Sequence, residues 1–88
     1  MTEVKLHLSG HCIETAARRR YDEIVRRLLG ELEPEVERKL EEELETLLEF
    51  LKKADFAGLR KAGFDGSREM WVLVRKTEDG FVVEEMRA

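Results

Sequence analysis

Two amphipathic segments in the middle of the chain constrain its fold more than any other feature. The first lies near Cys12 to Leu29 and repeats apolar residues every three or four positions: Ile13, Ala17, Tyr21, Ile24 and Leu28. The second lies near Pro34 to Ala54 and has a similar stripe: Val36, Leu40, Leu44, Leu47 and Leu51. This spacing predicts two helices, each with one apolar face. Their short connection predicts an antiparallel helical hairpin, in which Gly30 adopts the left-handed conformation that ends a helix.

Alternation and turn signals on either side of the helices predict strands. Val4, Leu6 and Leu8 alternate with polar residues, as in a half-buried strand, and Ser9 is expected to cap the helix that follows. The stretch from Met70 to Val74 is apolar on both faces, as in a central strand. Glu78–Gly80 then reads as a hairpin turn before a last strand.

These elements define the expected architecture. The fold class is α+β with the order β-α-α-β-β, and Asp55 caps a short extra helix near Phe56 to Arg60. A three-stranded, mostly antiparallel sheet packs against the two-helix antiparallel hairpin, with the Trp71 strand in the middle. Residues 1–88 are expected to form one domain with a thin core.

Charge is abundant and unevenly distributed. The first helix carries five arginines, whereas the stretch 31–49 carries nine acids and two bases. Charged residues make up 41% of the chain, and Asn and Gln are absent. This composition is typical of thermophilic proteins, although an engineered chain could share it. The net charge of −4 argues against bulk nucleic-acid binding, which needs a positive surface.

The single cysteine, Cys12, cannot form an internal disulfide, which favours a reducing compartment. No apolar run approaches the length of a membrane span, and the N-terminus lacks the pattern of a secretion signal. We therefore expect a cytoplasmic protein without membrane association. No cofactor motif is found.

One short motif suggests catalysis. His11, Cys12 and Arg18 have the H-C-x5-R spacing that resembles the Cys-dependent phosphatases. The resemblance implies Cys12 as nucleophile and Arg18 as anion clamp. However, no glycine lies between Cys12 and Arg18, and Ile13 and Ala17 belong to the helical stripe. These features predict a helix rather than a phosphate-binding loop.

The sequence contains two other candidate sites. His7, His11 and Cys12 are candidate metal ligands, although their spacing matches no standard structural zinc pattern. A winged-helix-like nucleic-acid binder shares the element order, and its basic patch would comprise Arg60, Lys61, Arg68, Arg75 and Lys76. The element before the hairpin is too short for a recognition helix.

The strand that contains Trp71 is apolar on both faces, and this favours a role in protein association. Two helices cover only one sheet face, so the other must be covered by the C-terminal segment, by the stretch 56–64 or by another subunit. We expect a non-catalytic homodimeric interaction module with Trp71, Leu73 and Val82 at the interface. The glutamates Glu42, Glu45 and Glu49 of the acidic helix would face a basic surface of the same chain, of a second copy or of another protein. An enzyme or metal protein centred on His7, His11 and Cys12 is the main alternative.

Overall fold

A computed structural model describes residues 3–86, and this part of the chain has a mixed α+β fold. The long helices begin and end within one residue of the positions that the apolar stripes predict. In chain order the elements are β1 (Glu3–Leu8), α1 (Ile13–Leu28), α2 (Pro34–Lys53), α3 (Phe56–Lys61), β2 (Met70–Thr77) and β3 (Gly80–Met86).

The three strands form one antiparallel sheet in the order β1-β2-β3, so the Trp71 strand is central, as predicted. Val72 lies opposite Leu6 of β1 and Glu85 of β3. Because side chains alternate along a strand, this register places Val72 and Val74 on one face, with Val4 and Leu6 beside them. That inner face is buried under the helices.

The core lies between the inner face of the sheet and the two long helices. The α1 stripe contributes Ile13, Ala17 and Ile24, all fully buried, and α2 contributes Leu47 and Phe50. The ring of Phe50 makes edge-to-face contacts with Phe56 and Phe81, each with a centroid distance of 5.3 Å. Phe50 thus joins α2 to α3 and to β3.

An ion pair joins the two long helices. Arg20 of α1 donates to both carboxylate oxygens of Glu43 on α2, at 2.5 and 3.1 Å. Arg18 and Tyr21 of α1 lie beside Leu48 and Leu51 of α2. Only residues 29–33 connect these two helices, and so short a connection between helices in contact indicates an antiparallel pair.

Two local predictions about the ends of α1 were wrong. The N-cap is Cys12 rather than Ser9, and no side chain caps the helix. Instead, the Ile13 N–H donates to the carbonyl of Phe64 at 3.1 Å, so a distant loop satisfies a free donor of the first turn. Gly30 does not have a positive φ, because α1 ends in a tight turn in which Leu29 keeps a helical conformation.

The segment that follows α2 packs on the helical side of the sheet. Asp55 caps α3, as predicted, by accepting a hydrogen bond from the Gly58 N–H at 3.1 Å. Phe56, Leu59 and Phe64 pack against the core. The stretch 56–64 was one of the three candidates to cover the second face of the sheet. It does not cover that face, because it packs on the side of the helices. None of the helices within residues 3–86 is long and apolar enough to cross a lipid bilayer.

Candidate functional site: the outer face of the sheet

The outer face of the sheet carries three cross-strand rows of side chains. The upper row joins His7, Trp71 and Met86; the middle row joins Lys5, Leu73 and Glu84; the lower row joins Glu3, Arg75 and Val82. Trp71 and Leu73 are the apolar side chains of the central strand on this face, and Leu73 has a charged residue on either side. We refer to these nine residues as the outer face.

Trp71 is the largest exposed apolar group of this face. It is 52% exposed although it lies on the central strand. The His7 ring stacks on the indole at a centroid distance of 4.6 Å and an angle of 15°. His7 Nε2 in turn lies 3.1 Å from a carboxylate oxygen of Glu69. The indole is therefore held in position while about half of its surface remains exposed, as expected of an interface anchor.

The other two apolar residues predicted at the interface lie farther along this face, Leu73 in the middle row and Val82 in the lower row. Leu73 and Val82 are half-buried on the same face. Arg75 donates to Glu84 at 2.5 Å across the two strands, so this charge pair borders both apolar residues. The structure thus places Trp71, Leu73 and Val82 on one face, in three successive rows.

The three glutamates predicted at an interface of α2 have different surroundings. Glu49 forms an ion pair with Lys76 of β2 at 2.7 Å, and this hydrogen bond lowers the pKa of Glu49. Glu42 and Glu45 are exposed, and neither has an ion pair within 4.0 Å among residues 3–86. Of these three glutamates, Glu42 and Glu45 therefore present free charge to a partner, and Glu49 does not.

The phosphatase-like motif does not form a phosphate cradle. Residues 13–18 are helical, as their apolar stripe predicts. Arg18 lies six positions beyond Cys12, about 240° around the helix axis, so it projects from a different side of α1. Its guanidinium pairs instead with Glu14 at 3.4 Å.

The Cys12 thiol nevertheless has a distinctive environment. Its Sγ lies 3.5 Å from the hydroxyl of Thr15, and this hydrogen bond lowers the pKa of Cys12. The side chain is half-buried at the start of α1. A lowered pKa increases the thiolate fraction at neutral pH but supplies no second catalytic group.

This environment gives a first testable prediction. We expect Thr15→Val to raise the pKa of Cys12, because the hydroxyl that stabilises the thiolate is removed. The alkylation rate of Cys12 by iodoacetamide, measured against pH, should then reach half its maximum at a higher pH. Thr77→Val, an exposed threonine at the end of β2, is the matched control. Identical profiles for the wild type and Thr15→Val would contradict the assignment.

The three candidate metal ligands are not grouped as a site. Within residues 3–86, no cluster of three or more His, Cys, Asp or Glu side chains is placed to hold a metal ion. His7 contacts Trp71 and Glu69, whereas Cys12 contacts Thr15. Spacing in the sequence could not show this, because His7 points outward from the sheet while Cys12 begins the helix.

The basic residues considered for nucleic-acid binding are mostly neutralised within the chain. Arg60 pairs with Glu14 at 3.7 Å, and Arg68 pairs with Glu85 at 3.2 Å. Two further basic residues are also paired: Arg75 with Glu84 at 2.5 Å, and Lys76 with Glu49 at 2.7 Å. Arg75 and Lys76 also point to opposite faces of β2. These residues, with Lys61, do not form a continuous positive surface.

One basic surface was missed by the sequence analysis. Lys5 of β1 and Arg19 of α1 line a cleft along the free edge of β1, together with His7, His11 and Trp71. The phase of α1 indicated only that Arg19 points away from the core. Its proximity to β1 depends on which strand forms the edge of the sheet.

These observations define a small α+β protein with an antiparallel three-stranded sheet whose outer face is uncovered by residues 3–86. A protein-family model matches residues 2–84, and the chain belongs to that family. It is also 62% identical over 84 residues to an "uncharacterized protein" of Archaeoglobus fulgidus, covering 96% of this chain and 99% of that protein. No solved structure matches.

Proposed function

We propose that the protein is a non-catalytic interaction module that acts in the cytoplasm as a homodimer joined through the outer face. The observation that carries the proposal is the half-exposed Trp71 on the central strand, which shares the outer face with Leu73 and Val82. An aromatic anchor ringed by charged groups is typical of an interface core and its rim. A small core also favours association, because a short chain buries less surface by itself.

A second copy suits this face because Lys5 and Glu84, on its two outer strands, meet each other under two-fold symmetry. In the proposed dimer the outer faces of two copies contact each other, and the two-fold axis runs between them, parallel to β2. Each β1 then lies over β3 of the partner subunit, and each cross-strand row stays at its own level. Lys5 meets Glu84 of the partner subunit, whereas Leu73 and Arg75 of the central strand each meet their own counterpart. The Arg75 charge is already balanced by Glu84 of its own chain. An axis perpendicular to the strands instead places like charges together, which is unfavourable.

The acidic helix supplies a separate surface for a further protein partner. Glu42 and Glu45 are exposed on α2 and have no ion pair within 4.0 Å in the described part of the chain. Like charges one helical turn apart repel each other. A partner with a basic surface would relieve this repulsion, so we place such a partner on α2.

Replacement of Trp71 tests the dimer. We expect Trp71→Ser to weaken self-association by at least about 2 kcal/mol, roughly thirtyfold in Kd, because the central anchor is lost. Sedimentation equilibrium at micromolar concentration measures the change. Leu29→Ser is the matched control, since Leu29 is 83% exposed but lies at the end of α1, outside the outer face. A monomeric wild-type protein would overturn the proposal.

Charge reversal tests the symmetry of the dimer. Lys5→Glu alone and Glu84→Lys alone each place like charges together twice in a homodimer, and each should weaken association by more than about tenfold. An equimolar mixture of the two variants should recover tight association, because both contacts in the mixed dimer are again between opposite charges. If the mixture associates no better than its components, the parallel axis is wrong, whereas the Trp71→Ser result still decides whether the outer face is the interface.

A further inference from the structure

We propose that the groove between the free edge of β1 and α1 binds an extended acidic peptide, which adds to the sheet as a fourth strand. The groove shares Lys5, His7 and Trp71 with the outer face, whereas its other wall belongs to α1. The partner is defined here by its chemical class, and its binding to the strand edge does not require the protein to dimerise.

The edge of β1 is open for strand addition. β1 pairs with β2 on one side only. Its residues make no backbone hydrogen bond to any loop or cap in the part of the chain that the structure describes. An edge strand carries a row of free N–H and C=O groups, and extended peptides bind such rows in several classes of interaction domain.

The groove has a volume typical of a ligand site, and it is lined by a strand on one side and a helix on the other. Its volume is about 490 Å³, within the range of roughly 300–1,000 Å³ that is usual for binding clefts. Lys5, His7 and His11 come from β1 and the turn after it, whereas Arg19, Arg20 and Glu23 come from α1. A strand next to β1 would therefore run between the strand edge and the helix.

The charge of the groove identifies the partner as acidic. Three cationic side chains line it, against the one carboxylate of Glu23. Glu23 already pairs with Arg20 at 2.8 Å, and Arg20 also binds Glu43. The Glu43 carboxylate raises the pKa of Arg20, so this guanidinium stays charged. Arg19 has no acid within 4.0 Å among residues 3–86, so its charge is free for a ligand, and Lys5 has none within its own chain over the same residues.

The geometry of a strand also sets the spacing of the acids. Alternate side chains of an added strand point to opposite sides of the sheet, so every second residue faces α1. Carboxylates at those positions would meet Arg19. The other positions would continue the outer face beside Lys5 and His7. The preferred ligand is therefore an extended segment with acidic residues at every second position.

A peptide of alternating sequence tests this proposal. The probe is a blocked heptapeptide in which glutamate alternates with threonine, titrated into the full-length protein by NMR at low salt. We expect shifts of the backbone amide signals of β1 and α1. Arg19→Glu should weaken binding by about tenfold, because one attractive contact becomes repulsive. Arg26→Glu is the matched control: Arg26 is also exposed on α1 but lies outside the groove.

A second probe distinguishes strand addition from simple charge attraction. Methylation of the peptide nitrogens on one edge removes the hydrogen bonds to β1, while methylation of the other edge leaves them intact. We expect binding to be lost for one of these two peptides only. Equal affinity of both would overturn strand addition, and failure of the unmodified peptide to bind would overturn the acidic partner. Binding of single-stranded oligothymidylate in place of the peptide would assign the groove to nucleic acid instead.

Discussion

The variant Phe50→Ala is expected to lower the free energy of unfolding by about 3–5 kcal/mol. Phe50 is fully buried, and its ring contacts Phe56 of α3 and Phe81 of β3. Its removal leaves a cavity where two helices and the sheet meet, and packed neighbours relax only partly into such a space. A chain of 88 residues has a total stability of only about 4–13 kcal/mol, so the loss is a large share of it.

Urea denaturation at a fixed protein concentration measures this loss, since self-association makes stability depend on concentration. Leu48→Ala is the matched control on the same helix, because Leu48 is 39% exposed. We expect the control to cost less than about 1 kcal/mol. Equal losses for both variants would mean that Phe50 is not at the centre of the core.

The variant Gly66→Ala is expected to cost more than about 3 kcal/mol, from backbone strain and a steric clash together. Gly66 has φ +84°, and a Cβ there would lie 2.4 Å from the carbonyl carbon of His11. Backbone atoms cannot rotate away as a side chain can, so the loop 64–66 would have to leave the turn before α1. The same loop supplies the Phe64 carbonyl that accepts the hydrogen bond from Ile13.

The variant Gly10→Ala separates backbone strain from the steric clash, because it introduces the strain alone. Gly10 has φ +74°, but a Cβ there meets no atom within 4 Å. It should cost only the roughly 1–2 kcal/mol of a left-handed backbone. Thermal unfolding followed by circular dichroism compares the two variants. If Gly66→Ala were no worse than Gly10→Ala, close packing of the loop against the turn would be ruled out.

Much of this fold could be predicted because its signals are local. The stripe from Ile13 to Leu28 specifies a helix through side chains three or four positions apart, and α1 begins and ends at those residues. The apolar stretch from Met70 to Val74 predicts a strand covered on both sides by neighbours, and β2 is the central strand. The loop that caps α1 could not be predicted, because Phe64 and Ile13 meet only after the chain has folded.

The candidate site was predicted less completely than the fold. Alternation along β2 places Trp71 and Leu73 on one side, which is a property of the sequence alone. The stacking of His7 on Trp71 and the pairing of Glu49 with Lys76 require strand register and helix placement. Arg19 shows the difference most clearly, since its helical phase indicated an exposed arginine but gave no sign of the groove beside it.

By itself, the sequence determined which segments are helices and strands and which of their side chains face inward, because these properties depend on neighbours within one or two turns. The tertiary structure alone decided which acids neutralise which bases, which strand edge stays open and which basic residues border it. Those pairings join residues far apart in the chain, and their partners are chosen by how the helices and the sheet pack together.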